Sequence, residues 1–161
     1  MKKLICASIA LFAIGSTASG EELQEKNISL ATATEIAQEG INACSAKGYN
    51  VSVAVVDRAG LLRALMRSDK AGPHTLGAAQ AKAFTSASAR SATSAMAKNV
   101  QENPGAAQLV DIPGFLVLAG GVPIKIGDET IGAIGIGGAP GGNLDEECAT
   151  EALDKVKDKL K

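Results

Sequence analysis

The only histidine of this 161-residue chain, His74, is its best candidate for a residue that binds a ligand or takes part in catalysis. It directly follows Pro73, and proline is common in the first turn of an α-helix. The partial positive charge at a helix N-terminus favours the neutral imidazole, which can coordinate a metal or a haem iron. The alternative is an exposed histidine that only packs or caps at a loop end. The sequence leaves both interpretations open.

The other polar side chains give little support to a catalytic centre. A single histidine excludes a multi-histidine metal site, and a Ser-His-Asp triad would have only His74 to use. Several acidic residues lie at predicted turns, where turn chemistry explains them: Asp57, Asp69, Asp111 and Asp128. We therefore predict no catalytic residue and no metal site, and favour a protein that is not an enzyme. The alternative is an enzyme in which His74 acts as a general acid or base.

A glycine-rich stretch, residues 120–148, holds half of the chain's 18 glycines. The phosphate-binding pattern G-x-G-x-x-G is absent from it, because Pro140 stands where the last glycine is needed. The acidic residues that open the next predicted helix would also repel an anion. We predict instead that Gly137 and Gly138 form a wall of a ligand pocket near His74.

The first twenty residues have the pattern of a secretory signal peptide. Lys2 and Lys3 precede an apolar run, and small residues stand before Glu21. We therefore expect an exported protein, periplasmic or secreted, whose mature chain (residues 21–161) forms one domain without a membrane span. The net charge of −1 and the aromatic content of 2% argue against nucleic acid as a partner.

Two of the three cysteines, Cys44 and Cys148, belong to the mature chain. Each lies near the apolar face of a predicted helix. In an oxidising compartment an even number of cysteines suggests a disulfide, which here would tie the first helix to the last. The alternative is two unpaired thiols in the core.

Helix signals mark both ends of the chain. A helical stripe begins after Ser29, a good N-cap, and ends at Gly48. Asn143 and Glu146 have the spacing of a capping box at the start of the last helix. The long Ala-rich region between them predicts two helices that are separated near Ser88–Ser91.

The strands lie between these helices, and the order of elements is α-β-β-α-α-β-β-β-α. Pro123 lacks a backbone donor, so its strand should lie at a sheet edge or carry a bulge. The five predicted strands are Val51–Val56, Leu61–Arg67, Phe115–Leu118, Val122–Ile126 and Ile131–Ile136. Because hairpins dominate, we predict a single α+β domain in which helices flank a mostly antiparallel sheet.

Four segments carry a family resemblance in the right order. They are Val53–Asp57 with Gly60 and Leu62; Ala71–Thr75 with Ala81–Ala83; Gly120–Ile124; and Ile131–Gly138 with Asp145, Glu146, Cys148 and Ala149. Together they resemble the GlcG/HbpS-like haem-binding family, which is related to the C-terminal domain of PduO-type proteins. The resemblance covers nearly the whole mature chain.

The resemblance implies a five-stranded antiparallel sheet flanked by helices, assembly into homo-oligomers, and haem binding outside the cytoplasm. It also implies His74, in the Pro-His-Thr segment, as a candidate axial ligand of the haem. Apolar lining of a haem pocket would come from Met66, Leu76 and Met96.

The function that we predict is therefore an exported, non-catalytic protein that binds haem or another tetrapyrrole for sensing, sequestration or carriage. Two alternatives stay open at this point. One is a small-molecule enzyme or carrier that uses His74, and the other is an oligomeric structural or partner-binding protein.

Overall fold

The computed structural model of the protein describes residues 22–161. The predicted signal peptide lies outside these residues. Within them, no helix is both long and apolar enough to cross a membrane.

Helices and strands follow one another along the described chain in much the order that the sequence predicts. The helices are α1 (Leu30–Ala46), α2 (His74–Ala89), α3 (Thr93–Glu102) and α4 (Gly142–Val156), and the strands are β1 (Ser52–Asp57), β2 (Leu62–Arg67), β3 (Gly121–Ile126) and β4 (Glu129–Gly137). Short 3-10 helices follow α3 at Pro104–Asp111 and α4 at Lys157–Lys159.

One antiparallel sheet organises the domain, with its strands in the order β2-β1-β4-β3. Strand β1 is buried along its whole length, because β2 and β4 flank it and helices cover both faces. Strand β3 lies at one edge and carries Pro123, with a register irregularity between Ile124 and Lys125. The predicted α+β domain and the edge position of Pro123 are confirmed.

The prediction of five strands is wrong, because this sheet has four. The segment Phe115–Leu118 is an irregular loop that does not join the sheet. The backbone N–H of Leu116 donates to the Thr85 hydroxyl at 2.8 Å, and that of Leu118 donates to the Leu116 carbonyl. A helix side chain and a tight turn thus satisfy backbone groups that a strand would have placed in a ladder.

Two helical layers sandwich the sheet. Helices α1 and α4 cover one face over a core of Ile, Val and Ala side chains, which include Val53 and Ile134. Helix α2 covers the other face over a smaller core made of Ala54, Val56, Ala133 and three alanines of α2. Its small residues let α2 lie directly against β4: a Cβ on Gly135 would collide with the Ala79 carbonyl oxygen.

The sequence signals at the helix ends predict most of these ends correctly. The Ser29 hydroxyl accepts from the Thr32 N–H and caps α1, and Gly48 follows its end with φ +80°. Arg90, with φ 54°, separates α2 from α3 as predicted. The predicted capping box is wrong: α4 begins at Gly142, and the Glu146 carboxylate accepts from the Gly120 N–H and the Ser94 hydroxyl instead.

The predicted disulfide is present. Cys44 of α1 and Cys148 of α4 are bonded, with their Cα atoms 5.4 Å apart, and both are fully buried. The bond joins the two helices that cover the same face of the sheet.

Candidate functional site

His74 is the first residue of α2, and its side chain is exposed to solvent. Pro73 stands one position earlier than an N1 proline, but its backbone is already helical, with φ −62° and ψ −28°. Proline can start the helix because no intrahelical partner exists there for an N–H. Neither imidazole nitrogen has a hydrogen-bond partner among residues 22–161, so the ring is free to bind a ligand.

The imidazole lies closely over Gly72. A Cβ added to Gly72 would be 2.8 Å from Cε1 of His74 and 2.9 Å from Nδ1. Atom Nε2 is farther from that position, at 3.9 Å. The Cε1–Nδ1 edge of the ring therefore lies nearest to the space over Gly72, and Nε2 is the nitrogen farther from it.

A buried pair of hydroxyl groups seats this turn on the sheet. The Thr75 hydroxyl donates to the Gly72 carbonyl at 2.6 Å and lies 2.7 Å from the hydroxyl of Ser52 in β1. Because the single Thr75 proton is used on Gly72, Ser52 is the donor in the second bond. Both hydroxyl-bearing residues are almost fully buried, so the start of α2 is held in place.

Gly137 and Gly138 meet the same turn from the end of β4. A Cβ on Gly137 would lie 3.5 Å from the Thr75 carbonyl oxygen, and one on Gly138 would lie 3.2 Å from Thr75 Cγ2. The structure thus brings both glycines together with the turn that carries His74, and it places them beneath that turn. A role for them as the wall of a ligand pocket stays a prediction.

A groove runs along the outer face of α2, starting one turn after His74. Its α2 lining is Gly77, Gln80, Ala81 and Phe84, and the opposite walls are Gly60, Pro113 and Gly114. Residues 74, 77, 81 and 84 share a helix face by their spacing. None of the lining residues is charged, and Gly77 leaves its part of the groove open, since a Cβ there would meet nothing within 4 Å.

The ring of Phe84 is held at the far end of this groove. A Cβ on Gly60 would come within 2.7 Å of the ring, and one on Gly114 within 3.3 Å. Phe115 packs against it edge to face, with the ring centroids 6.0 Å apart. Two glycines and one aromatic ring therefore fix Phe84, and Gly60 has the φ of +80° that a side chain would disfavour.

The three predicted lining residues lie elsewhere. Met66 of β2 is half-buried against the core under α1, on the face of the sheet opposite α2. Met96 is buried in α3. Leu76 is two residues from His74, which turns it away from the groove face of α2. The structure does not bring these side chains together with His74 around the groove.

On its inner face, α2 carries a buried ion pair. The Lys82 ammonium lies 2.8 Å from the Asp145 carboxylate and donates to the Ile136 carbonyl at 3.0 Å. The other oxygen of Asp145 accepts from the Ala139 N–H. Burial raises the pKa of Asp145 above its ordinary value, and the Lys82 ammonium opposes that rise. These bonds join α2 to β4 and to the first turn of α4.

No group of three or more His, Cys, Asp or Glu side chains within residues 22–161 could hold a metal ion.

Comparison with known proteins assigns this chain to a family. A model of the HbpS-like family, described as haem degrading protein HbpS-like, matches residues 28–154. The chain belongs to the HbpS-like family. It is 35% identical to Protein GlcG of Escherichia coli K12 over 104 residues, which cover 65% of this chain and 76% of GlcG.

Solved structures of similar proteins share the fold. A double mutant of HbpS from Streptomyces reticuli is 38% identical with a TM-score of 0.80, and the match covers 91% of this chain and 99% of that one. A complex of PduOC with haem is 21% identical with a TM-score of 0.71, and the match covers 80% and 94% of the two chains. At that identity the PduOC structure shows a common fold.

The sequence of this HbpS-like chain pointed to His74 but not to its neighbours. Gly72, Thr75 and Phe84 gain their roles from packing across the fold, which periodicity does not reveal. Two features of the sequence could have indicated Thr75 and Phe84. Thr75 directly follows the only histidine, and Phe84 is a phenylalanine in a chain with 2% aromatic residues.

Proposed function

We propose that this protein is an exported, non-catalytic haem-binding protein that senses, sequesters or carries haem or a related tetrapyrrole. The family match supports haem as the ligand, since the family is described as haem degrading. The observation that carries the proposal is the open imidazole of His74 on the same helix face as an uncharged groove.

The residues at this site fit a flat, mostly apolar ligand. His74 would supply an axial nitrogen, and the open position at Gly77 and the ring of Phe84 would contact the macrocycle. The ten helical steps from His74 to Phe84 span about 15 Å at the rise of an α-helix, so a porphyrin could lie along them. Haem, when bound, supplies an iron that accepts an imidazole ligand. The uncharged lining would leave the propionates in water.

Haem titration of the mature chain tests this proposal. We expect a Soret shift that saturates at one haem per chain, a changed Soret band in His74→Ala, and an unchanged one in Gln101→Ala, an exposed control in α3. Absence of a Soret shift in the wild type would exclude haem as the ligand. A wild-type Soret band in His74→Ala would remove His74 as the ligand.

The non-catalytic part of the proposal has its own measurement. The haem complex is incubated with ascorbate in air, and the Soret band is followed over time. We expect it to persist. Repeated loss of added haem with formation of a linear tetrapyrrole would instead make the protein a haem-degrading enzyme. Stabilisation by a small acid or sugar but not by haem, in a thermal-shift screen, would favour the alternative small-molecule function of His74.

The proposed export is supported by the disulfide, since such bonds persist mainly in oxidising compartments. Fractionation of cells and mass measurement of the extracted protein test it: we expect a periplasmic or secreted protein that begins at Glu21.

We also propose a homo-oligomer. Large apolar side chains are exposed close in sequence to the groove residues Gly60 and Pro113, at Leu61, Leu62 and Ile112. Exposed apolar side chains, where they join into a patch, often mark association surfaces. Light scattering coupled to size exclusion should give a mass above that of the monomer, and a monomeric mass would refute this part.

A further inference from the structure

We propose that Gly72 is a positioning residue for the His74 imidazole, and that the Thr75–Ser52 hydroxyl pair holds Gly72 in place for this task. This inference rests on the proposed haem-binding function of His74. It concerns which ring nitrogen is presented to the ligand, and how the fold presents it.

The space over Gly72 determines where the ring can lie. A Cβ at that position would be 2.8 Å from Cε1 of His74 and 2.9 Å from Nδ1, closer than non-bonded carbon atoms approach in proteins. Any side chain at position 72 would therefore displace the ring. With glycine there, the Cε1–Nδ1 edge of the ring occupies the space that a side chain would fill, and Nε2, the nitrogen farther from that space, is the one that we assign to the ligand.

Gly72 itself cannot easily move away. Its carbonyl oxygen accepts from the Thr75 hydroxyl at 2.6 Å and from the Thr75 N–H at 3.0 Å. The Thr75 hydroxyl is in turn bonded to Ser52 of the central strand, and both side chains are buried. The turn is thus tied to a fully buried strand of the sheet, while the imidazole lies at the surface.

This asymmetry makes Gly72→Ala an informative variant. The φ of Gly72 lies outside the left-handed region, so alanine fits the backbone without strain. The added methyl group should move the exposed ring and leave the buried turn intact. A change at the ring without a change in the fold is what a positioning role predicts.

The haem-free protein supplies the first readout. Because His74 is the only histidine, its ring protons give a single set of histidine signals in the NMR spectrum. We expect the nuclear Overhauser contact between the Gly72 Hα and His74 Hε1 protons to be present in the wild type. In Gly72→Ala the Hε1 signal should shift, with the thermal midpoint close to that of the wild type. An unshifted signal would overturn the inference.

The haem complex supplies the second readout. Outer residues that orient a ligand typically change metal affinity by about 10- to 100-fold, so we expect haem to bind at least tenfold more weakly to Gly72→Ala. Its Soret and spin-state spectra should move toward those of His74→Ala. The matched control is Gly105→Ala, the same substitution at an exposed position of the 3-10 helix Pro104–Asp111, outside the groove lining, which should leave ring signals and haem binding as in the wild type.

A second pair of variants keeps the inference testable if Gly72→Ala does not fold. Thr75→Val removes the hydroxyl that holds the Gly72 carbonyl, and Thr75→Ser keeps it. We expect a displaced ring signal in the valine variant and a wild-type signal in the serine variant. Equal signals in both would refute the role of the hydroxyl. If the wild type binds no haem, the proposed function fails, whereas the NMR comparison still decides the positioning.

Discussion

The ammonium group of Lys82 lies 2.8 Å from the carboxylate of Asp145 in the interior of the protein, where both residues are about 97% buried or more. The pair links the middle of the helix that carries His74 to the first turn of α4. Backbone groups complete it, since Ile136 accepts from Lys82 and Ala139 donates to Asp145. Two almost fully buried charges therefore help to join the helix that carries the candidate site to the rest of the fold.

The first prediction is that Lys82→Met destabilises the protein by about 3–5 kcal/mol, because it leaves the buried Asp145 carboxylate without its counter-charge. Urea unfolding followed by circular dichroism measures the loss. Lys98→Met, at an exposed position in α3, is the control and should cost less than about 1 kcal/mol. The double variant Lys82→Met/Asp145→Leu should be more stable than Lys82→Met alone, and an equally unstable double variant would contradict this explanation.

The second prediction concerns pH. Burial raises the native pKa of Asp145 above its ordinary value of 3.8, so the native state binds this proton more tightly than the unfolded chain does. The contribution of this group to stability is therefore complete below pH 3.8 and is lost as the pH rises through the native pKa. The stability of the wild type relative to Asp145→Asn should fall over that range in urea unfolding. A difference that grows with pH would contradict the stated direction.

How far the sequence could predict this fold depends on the distance between the interacting groups. The β1–β2 hairpin and the buried central strand follow from apolar runs and a turn that are adjacent in the chain. The prediction of a fifth strand was wrong because the contact that decides its structure is distant in the chain. Phe115–Leu118 has the composition of a strand, but its Leu116 N–H bonds to Thr85, 31 residues away, and the hairpin signals contain no information on that contact.

The same distinction applies to the site. His74 stood out by its residue type and by the proline before it. The space over Gly72, the Thr75–Ser52 pair and the clamped ring of Phe84 are products of packing. Met66, Met96 and Leu76 were proposed as lining because they are apolar, but an apolar type does not say which face of the sheet or helix a residue occupies.

The third prediction is that loss of the disulfide destabilises the protein without removing the fold. The bonded cysteines are 104 residues apart, and the chain-entropy model gives about 4–5 kcal/mol for a loop of that length. Cys44→Ala/Cys148→Ala should unfold at a lower urea concentration, and the wild type should do the same after reduction. An unchanged midpoint in both cases would mean that the bond does not stabilise the native state.

The fourth prediction compares two glycine-to-alanine substitutions that should change stability in opposite directions. Gly135→Ala places a methyl group against the backbone of Ala79 and Ala83, which cannot move without lifting α2 from the sheet, so it should be strongly destabilising. Gly77→Ala meets nothing and lies within α2, so it should stabilise by up to about 1 kcal/mol. Thermal unfolding of both variants gives the signs. A tolerated Gly135→Ala would contradict the close packing of α2 on β4.

The fifth prediction separates the groove from the aromatic contact that supports it. Phe84 lines the groove and packs against Phe115, which does not line it. Either residue changed to leucine loses the edge-to-face contact, worth about 0.5–1.5 kcal/mol. Phe84→Leu also loses packing of the ring over Gly60 and Gly114, so it should lose at least as much stability as Phe115→Leu. Only Phe84→Leu also removes a ring from the proposed haem surface.

Haem titration of these two variants therefore tests the groove directly. Loss of one stacking contact of that size corresponds to a roughly two- to tenfold weaker affinity, which we expect for Phe84→Leu and not for Phe115→Leu. Equal losses in both variants would trace the effect to the loosened loop around Gly114. Wild-type affinity in Phe84→Leu would place haem away from the groove, and His74 would then have to hold it from another side.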